Sequence, residues 1–429
     1  MFIDVEGGSR AAGELTIQGA KNAVLPMIAA AVLCRETVVL ERCPRIHDVD
    51  AMAAILREIG GNVEWDGDRL VIQARYVEAR DISCREAGEV RASILFLGSI
   101  LGREREAGIC LPGGCSIGAR PIDFHIAALE KLGAATVQEG NYIRCVVERT
   151  GEDAVELPYP SVGATENVIL YSVLRAGSTE VRNVAREPEI VELCRFLRSM
   201  GARISGEGTD TIRIRGVDGL HGTTYRVKSD RIVYLTYAAM VAATGGSAYF
   251  RVCGETFDRE NGYLEQAGCR IRREESGSDA GGADVGLHRI HISGTGGIRA
   301  IPYLRTGPYP EFPTDAQSLF LALLSKSNGE SVLEESVFEN RFLVASQLRN
   351  MGADIEVAGQ RACIRGVTRL HGETVRATDL RSGAALLVAG VMADGRTRID
   401  DSHLILRGYE QPAEQMGKLG LKAVYAEGK

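Results

Sequence analysis

No run in this chain approaches the ~18 consecutive apolar residues that a membrane-spanning helix needs. The opening Met1-Phe2-Ile3-Asp4-Val5-Glu6 lacks the basic stretch and apolar core of a secretory signal, so a cytoplasmic protein is expected. Positive charge is in deficit: 50 Lys and Arg stand against 57 Asp and Glu, a net charge of −7. That balance argues against a general nucleic-acid surface. It leaves room for small anions, because a few convergent arginines set the field inside a cleft. The ten cysteines include no Cys-x-x-Cys pair and no Cys/His zinc spacing. The sequence offers no metal-ligand cluster, and the cysteines read as mostly reduced, buried small hydrophobes.

What the chain has is length and repetition. Its 429 residues, 45% hydrophobic and 25% charged, suffice for more than one core, so two domains are expected. An amphipathic helix that ends at a glycine turn and enters a β-hairpin recurs at residues 55–61, 126–134, 190–202, 263–269, 342–353 and 412–421. The turn glycines are Gly60, Gly133, Gly201, Gly268, Gly352 and Gly420, placed where a left-handed residue closes a helix. A second, more apolar helix precedes each copy, starting near Lys21, Arg91, Gly163, Asp230, Asp315 and Asp379. Helices apolar nearly all round are buried on every side. The unit is helix–strand–helix–strand–strand, at intervals of roughly 70 residues, longer than the short solenoid repeats. Six units suit two pseudo-symmetric α/β domains of three, with a boundary near Ser229-Asp230. Residues 275–286, rich in Gly, Ser, Asp and Ala, read as a mobile hairpin tip.

Residues with chemical potential collect at the junctions between units. Lys21 opens the first apolar helix, where the helix dipole disfavours a cation; it is well placed for an anion shared with the backbone amides. Cys115 lies in Pro112-Gly113-Gly114-Cys115-Ser116-Ile117-Gly118-Ala119-Arg120, a pliable loop suited to close as a lid. Arg120 beside it lowers a thiol pKa, which suits proton transfer or attack by sulfur. Arg91, Arg341, Arg381 and Arg407 stand at corresponding junctions, and guanidinium groups grip phosphate or carboxylate through paired hydrogen bonds. Asp315 opens the fifth apolar helix, either as its cap or as a group awaiting a substrate hydroxyl.

These stretches resemble the UDP-N-acetylglucosamine 1-carboxyvinyltransferases of the enolpyruvyl transferase family. The resemblance spans essentially the whole chain and is most specific at residues 19–23, 112–121, 161–167, 186–190, 312–315, 338–342, 377–381 and 407–410. It implies a two-domain inside-out α/β barrel, three units per domain. Residues 21–229 would form one domain, and 1–20 with 230–429 the other. Phosphoenolpyruvate and UDP-N-acetylglucosamine would bind in the cleft between them. By motif, Lys21, Arg120 and Arg407 would hold the phosphate of phosphoenolpyruvate, and Arg341 and Arg381 its carboxylate. Asn22 would face the sugar. Arg91, Arg120, Pro121, Ile122, Asp123, Phe124, Ser161, Val162 and Val337 would line the nucleotide-sugar site. Asp315 would accept or orient the proton of the sugar 3′-hydroxyl, and Cys115 would be the acid toward the methylene carbon.

Three positions depart from the family pattern. Val233 stands where Glu is usual, Leu406 where Asp is usual, and Tyr159-Pro160 replaces a basic stretch. Two further readings therefore stay open: enolpyruvyl transfer to a different alcohol, or a silent paralog that senses nucleotide sugar.

Overall fold

The computed structural model describes residues 1–77, 81–82, 84–111, 118, 122–148, 153–254, 256–274 and 287–426. Six helices occupy the interior: Lys21–Ala31, Leu95–Glu104, Val162–Ser172, Arg231–Thr244, Thr314–Leu324 and Leu380–Met392. Their apolar sequences leave no solvent face. Every residue of Leu380–Met392 is buried, and each Leu or Val so enclosed contributes roughly 1.5–3 kcal/mol. Polar starts define their ends. Ser161, Asp230 and Asp379 cap three of them through their side chains, Asp379 in a reciprocal box with Ser382. The second interior helix is preceded by a 3₁₀ turn at Arg91–Ile94.

Amphipathic helices alternate with these: His47–Glu58, Asp123–Lys131, Pro188–Ser199, Asp258–Gln266, Val344–Asn350 and Pro412–Lys418. The glycine following each has a positive φ, from 69° at Gly420 to 109° at Gly133, so the predicted left-handed turns are present. Each turn leads into a strand of a four-stranded sheet. Among the described residues there are six such sheets, all with one sequence of directions: a parallel pair, then two antiparallel neighbours.

Two hydrophobic clusters result. One runs from Ala20 to Val227; the other joins Ile3–Ile17 to Ile232–Leu421. Long-range pairings complete each. Strand Thr223–Arg226 lies parallel to Thr37–Glu41. Ala12–Thr16 lies parallel to Ser247–Cys253, and Phe2–Glu6 sits between Arg396–Asp400 and Lys422–Ala426. The chain passes between the clusters twice, and the two passages are hydrogen-bonded: Ala20 N–H to Lys228 O at 2.8 Å and Asp230 N–H to Gln18 O at 2.9 Å. The first passage also packs against the backbone after strand Thr37–Glu41: a Cβ on Gly19 would overlap the carbonyl oxygen of Arg42. Residues 275–286 lie outside the described residues. Among the described residues seven cysteines are free, six of them buried and Cys363 exposed. Cys110 is disulfide-bonded, an exception to the expected reduced state.

Candidate functional site

The site lies where interior helices of both clusters start. The first residue of one such helix, Lys21, is buried and places its ammonium 2.7 Å from Asp48. Asp48, in the first turn of His47–Glu58, is 2% exposed. Its other oxygen accepts from Arg407 Nε at 2.8 Å, which crosses from the second cluster. Arg407 reaches there because a 3₁₀ turn, Ser402–Arg407, follows strand Arg396–Asp400. Burial lowers the Lys21 ammonium below the ordinary lysine value; Asp48 opposes this while Arg381 and Arg407 add to it. Burial alone would raise Asp48, but Lys21 and Arg407 outweigh it and hold the carboxyl below its usual range.

A second carboxylate gathers the remaining cations. Asp315 accepts from Arg341 at 2.7 Å and from Arg381 at 2.7 Å, one on each oxygen. Asn22 donates to it across the two clusters at 3.4 Å. Both guanidinium groups are almost wholly buried, and Arg341 also lies 3.7 Å from Asp379 and over the Phe338 ring. Burial pushes the Asp315 carboxyl upward, yet Arg381 and Arg341 together hold it far below the ordinary carboxylate range. Lys21 acts on Asp315 and Arg381 acts on Lys21, so the two groups share one electrostatic field.

Two expectations change. Asp315 is not a cap: the helix begins at Thr314 after Pro313, without a side-chain cap, and the carboxylate faces the arginines instead. The backbone amide of Lys21 is not open to an external anion, because Asp230 accepts it at 3.0 Å. With its other oxygen Asp230 caps Ile232 and Val233, so one buried carboxylate ties together helix starts from both clusters.

Of the other candidates, Arg91 opens its 3₁₀ turn and is partly buried. Ser161 caps Val162–Ser172 by accepting from Ala164 N–H at 3.4 Å. Ile122 and Asp123 begin the helix Asp123–Lys131. The Phe124 ring stacks on Tyr159 at 6.5 Å. The amide of Val337 donates to Glu335, a buried carboxylate that also receives Thr314 Oγ1–H. Cys115, Arg120 and Pro121 fall outside the described residues. Gly118 of the same loop is described, and it packs against Glu339 so closely that a Cβ would strike that carboxylate. Among the described residues no group of three or more His, Cys, Asp or Glu could hold a metal ion, and no helix is long and apolar enough to cross a membrane.

Asp48 and Glu335 join the site without a local signal in the sequence, and Asp230 shows there only as a helix start. Asp48 in a first helical turn looks like an ordinary dipole partner. The available signal was Lys21 itself, a cation at a positive helix end that requires a counter-charge.

Four cations held by two carboxylates leave positive charge in excess, which suits the site to a polyanion. Residues 5–416 match the family model described as EPSP synthase (3-phosphoshikimate 1-carboxyvinyltransferase). Curated relatives match along their whole length. UDP-N-acetylglucosamine 1-carboxyvinyltransferase 2 of Caldanaerobacter subterraneus subsp. tengcongensis is 41% identical, covering 98% of each chain. The UDP-N-acetylglucosamine 1-carboxyvinyltransferase of Gluconacetobacter diazotrophicus is 42% identical, covering 97% of each. In structure, the enolpyruvyl transferase NikO from Streptomyces tendae superposes with a TM-score of 0.85 at 23% identity, over 99% of this chain and 98% of that one. EPSP synthase from Acinetobacter baumannii gives 0.76 at 18%, over 99% and 100%. With its α/β fold, its full-length relatives and this cluster of cations, the chain belongs to the enolpyruvyl transferase family, the family of EPSP synthases and UDP-N-acetylglucosamine 1-carboxyvinyltransferases.

Proposed function

We propose that this protein transfers the enolpyruvyl group of phosphoenolpyruvate to the 3′-hydroxyl of UDP-N-acetylglucosamine, releasing phosphate, the first committed step of peptidoglycan synthesis. The observation that carries the reading is the meeting of Lys21, Arg341, Arg381 and Arg407 around two carboxylates where the clusters join. The full-length relatives named for this reaction support it. In the finer architecture we propose, residues 21–229 form one domain of three units and residues 1–20 with 230–429 the other. Each is half of an inside-out α/β barrel, and the cleft between them closes on substrate.

Phosphoenolpyruvate carries a phosphate and a carboxylate, which repel one another and resist leaving water; fixed cations offset both effects. Lys21, Arg407 and Arg120 take the phosphate, and Arg341 and Arg381 the carboxylate. The Cys115 thiol gives its proton to the methylene carbon, leaving an oxocarbenium-like centre at the neighbouring carbon. The 3′-hydroxyl oxygen attacks that centre while its proton passes to Asp315. The Cys115 thiolate takes a proton back from the methyl carbon as phosphate leaves its neighbour, which restores the double bond, and Asp315 gives its proton to the departing phosphate. No metal or cofactor enters the scheme. Asp315 paired with two arginines is a poor base. A substrate carboxylate that takes those arginines raises the Asp315 pKa as it arrives, so base strength appears with the substrate.

On this reading Arg91, Ile122, Asp123, Phe124, Ser161, Val162 and Val337 line the nucleotide-sugar subsite. A different alcohol is the second reading, favoured by Tyr159, which puts an aromatic ring beside Phe124 where the family pattern has a base. Phosphate release from phosphoenolpyruvate, measured with UDP-N-acetylglucosamine and with other alcohols in turn, tests both. Release only with another alcohol overturns the acceptor assignment.

A further inference from the structure

Arg341 is held at more points than its ion pair with Asp315 requires. Its Nη2 donates to Asp315 at 2.7 Å, and its guanidinium lies over the Phe338 ring, 5.1 Å from the centroid. Its Nε donates to Thr314 Oγ1 at 3.4 Å. That last contact leads away from the site. The Thr314 hydroxyl donates in turn to Glu335 Oε2 at 2.9 Å, and Glu335 is wholly buried. Glu335 follows strand Glu330–Glu334, and its amide is fixed to Gln360 O at 2.9 Å. A relay from Arg341 through Thr314 to Glu335 thus anchors the guanidinium to a sheet.

The Glu335 carboxylate has two tasks. Oε1 accepts the amides of Val337 at 2.8 Å and Phe338 at 3.0 Å, closing the turn that presents the Phe338 ring to Arg341. An Asp side chain performs that task in ordinary turns and caps, accepting amides two or three residues on. The longer Glu also reaches Thr314 with Oε2. Among the described residues both oxygens meet neutral donors only, so no ion pair offsets the burial of this charge. A hydroxyl that donates to a carboxylate is polarised into a better acceptor for its other neighbour, here the Arg341 Nε–H.

On the reading that Arg341 takes the carboxylate of phosphoenolpyruvate, we propose that Glu335 is a positioning residue of that subsite. Through the Thr314 hydroxyl it keeps the Arg341 guanidinium in place while that group exchanges Asp315 for the substrate. Once Nη2 leaves Asp315, the Nε bond remains to fix the guanidinium plane, together with the Phe338 ring and Asp379 at 3.7 Å. A paired hydrogen bond to a carboxylate depends on that plane.

Three variants of the full-length protein separate this role from turn formation: Thr314→Val, Glu335→Asp and the double variant, each checked by urea unfolding to be folded at the assay temperature. Glu335→Asp keeps the charge and the two amide contacts but falls one methylene short of Thr314. It and Thr314→Val should each raise KM for phosphoenolpyruvate about fivefold, the worth of one hydrogen bond, with KM for UDP-N-acetylglucosamine within about twofold of the parent. Both changes cut the same relay, so the double variant should be no worse than about the poorer single one. Calorimetric titration with phosphoenolpyruvate reads the same ratios without turnover. A parent that binds phosphoenolpyruvate but releases no phosphate would sink the functional reading, and the titration would still decide the role of Glu335. Glu335→Asp within about twofold of the parent for phosphoenolpyruvate, or single effects that multiply to about 25-fold in the double variant, overturns it.

Discussion

Asp48→Asn is the most informative single change. Asp48 is nearly inaccessible and is shared by two cations, Lys21 at 2.7 Å and Arg407 at 2.8 Å. Asparagine keeps the shape and removes the charge, leaving an ammonium and a guanidinium adjacent and uncompensated. Removing one partner of a buried pair costs about 3–5 kcal/mol. Arg407 keeps 32% of its side chain in solvent, so water screens part of the repulsion and the lower end, about 3 kcal/mol, applies. For a cooperative unit of about 200 residues, each kcal/mol moves Tm by about 2–4 °C, giving a fall of about 6–12 °C. The same reasoning makes phosphate the missing counter-ion. Inorganic phosphate or phosphoenolpyruvate should therefore raise the Tm of the variant by more than that of the parent. The assay is thermal unfolding at low ionic strength with and without each anion. A variant within 1–2 °C of the parent (roughly 0.5 kcal/mol) and with the same anion response would refute the reasoning.

Four further outcomes follow from the same geometry. Asp315→Asn should lower kcat for phosphate release by about 10²-fold or more, while KM for phosphoenolpyruvate does not rise, because Arg341 and Arg381 lose a competitor; steady-state kinetics separates the two. Asp230→Ala removes a cap and leaves the Lys21 amide unpaired, costing about 2–4 kcal/mol by urea unfolding; Asp230→Asn should be milder, since burial already raises this carboxyl against ionisation. The folded pKa of Asp48 is depressed, so its stabilisation is complete above the unfolded value of about 4 and fades as pH falls below it. The stability gap between parent and Asp48→Asn should accordingly hold from pH 8 to about 5 and shrink below about 4, as measured by denaturant titration. Cys115→Asp should keep turnover, since a carboxylic acid can still donate a proton, and should no longer be inactivated by thiol-directed epoxides; inactivation that persists points to another cysteine.

Helical order was legible in the sequence because its signals are local. The apolar stretch at 380–392 admits one environment, and Gly133 after Leu132 admits one turn. The recurrence of such pairs disclosed six units. What closes the units was not legible: pairing Thr223–Arg226 with Thr37–Glu41 joins segments far apart in sequence, and no periodicity carries that information. The site divides in the same way. Arg341, Arg381 and Arg407 stood out as cations at repeated junctions, and they do converge. Their partners did not stand out, because Asp48 and Asp230 occupy first turns and caps, where acidic residues are ordinary. Only the fold shows that each serves two helices or two cations at once.

Phosphate release measures enolpyruvyl transfer most directly. The purified protein, mixed with phosphoenolpyruvate and UDP-N-acetylglucosamine, should release phosphate stoichiometrically with an enolpyruvyl ether at the sugar 3′-oxygen, seen by mass spectrometry. Release should require both compounds and fall by about 10²-fold or more in Asp315→Asn. Folded protein that binds both yet releases no phosphate, with this or any other alcohol, would contradict the account.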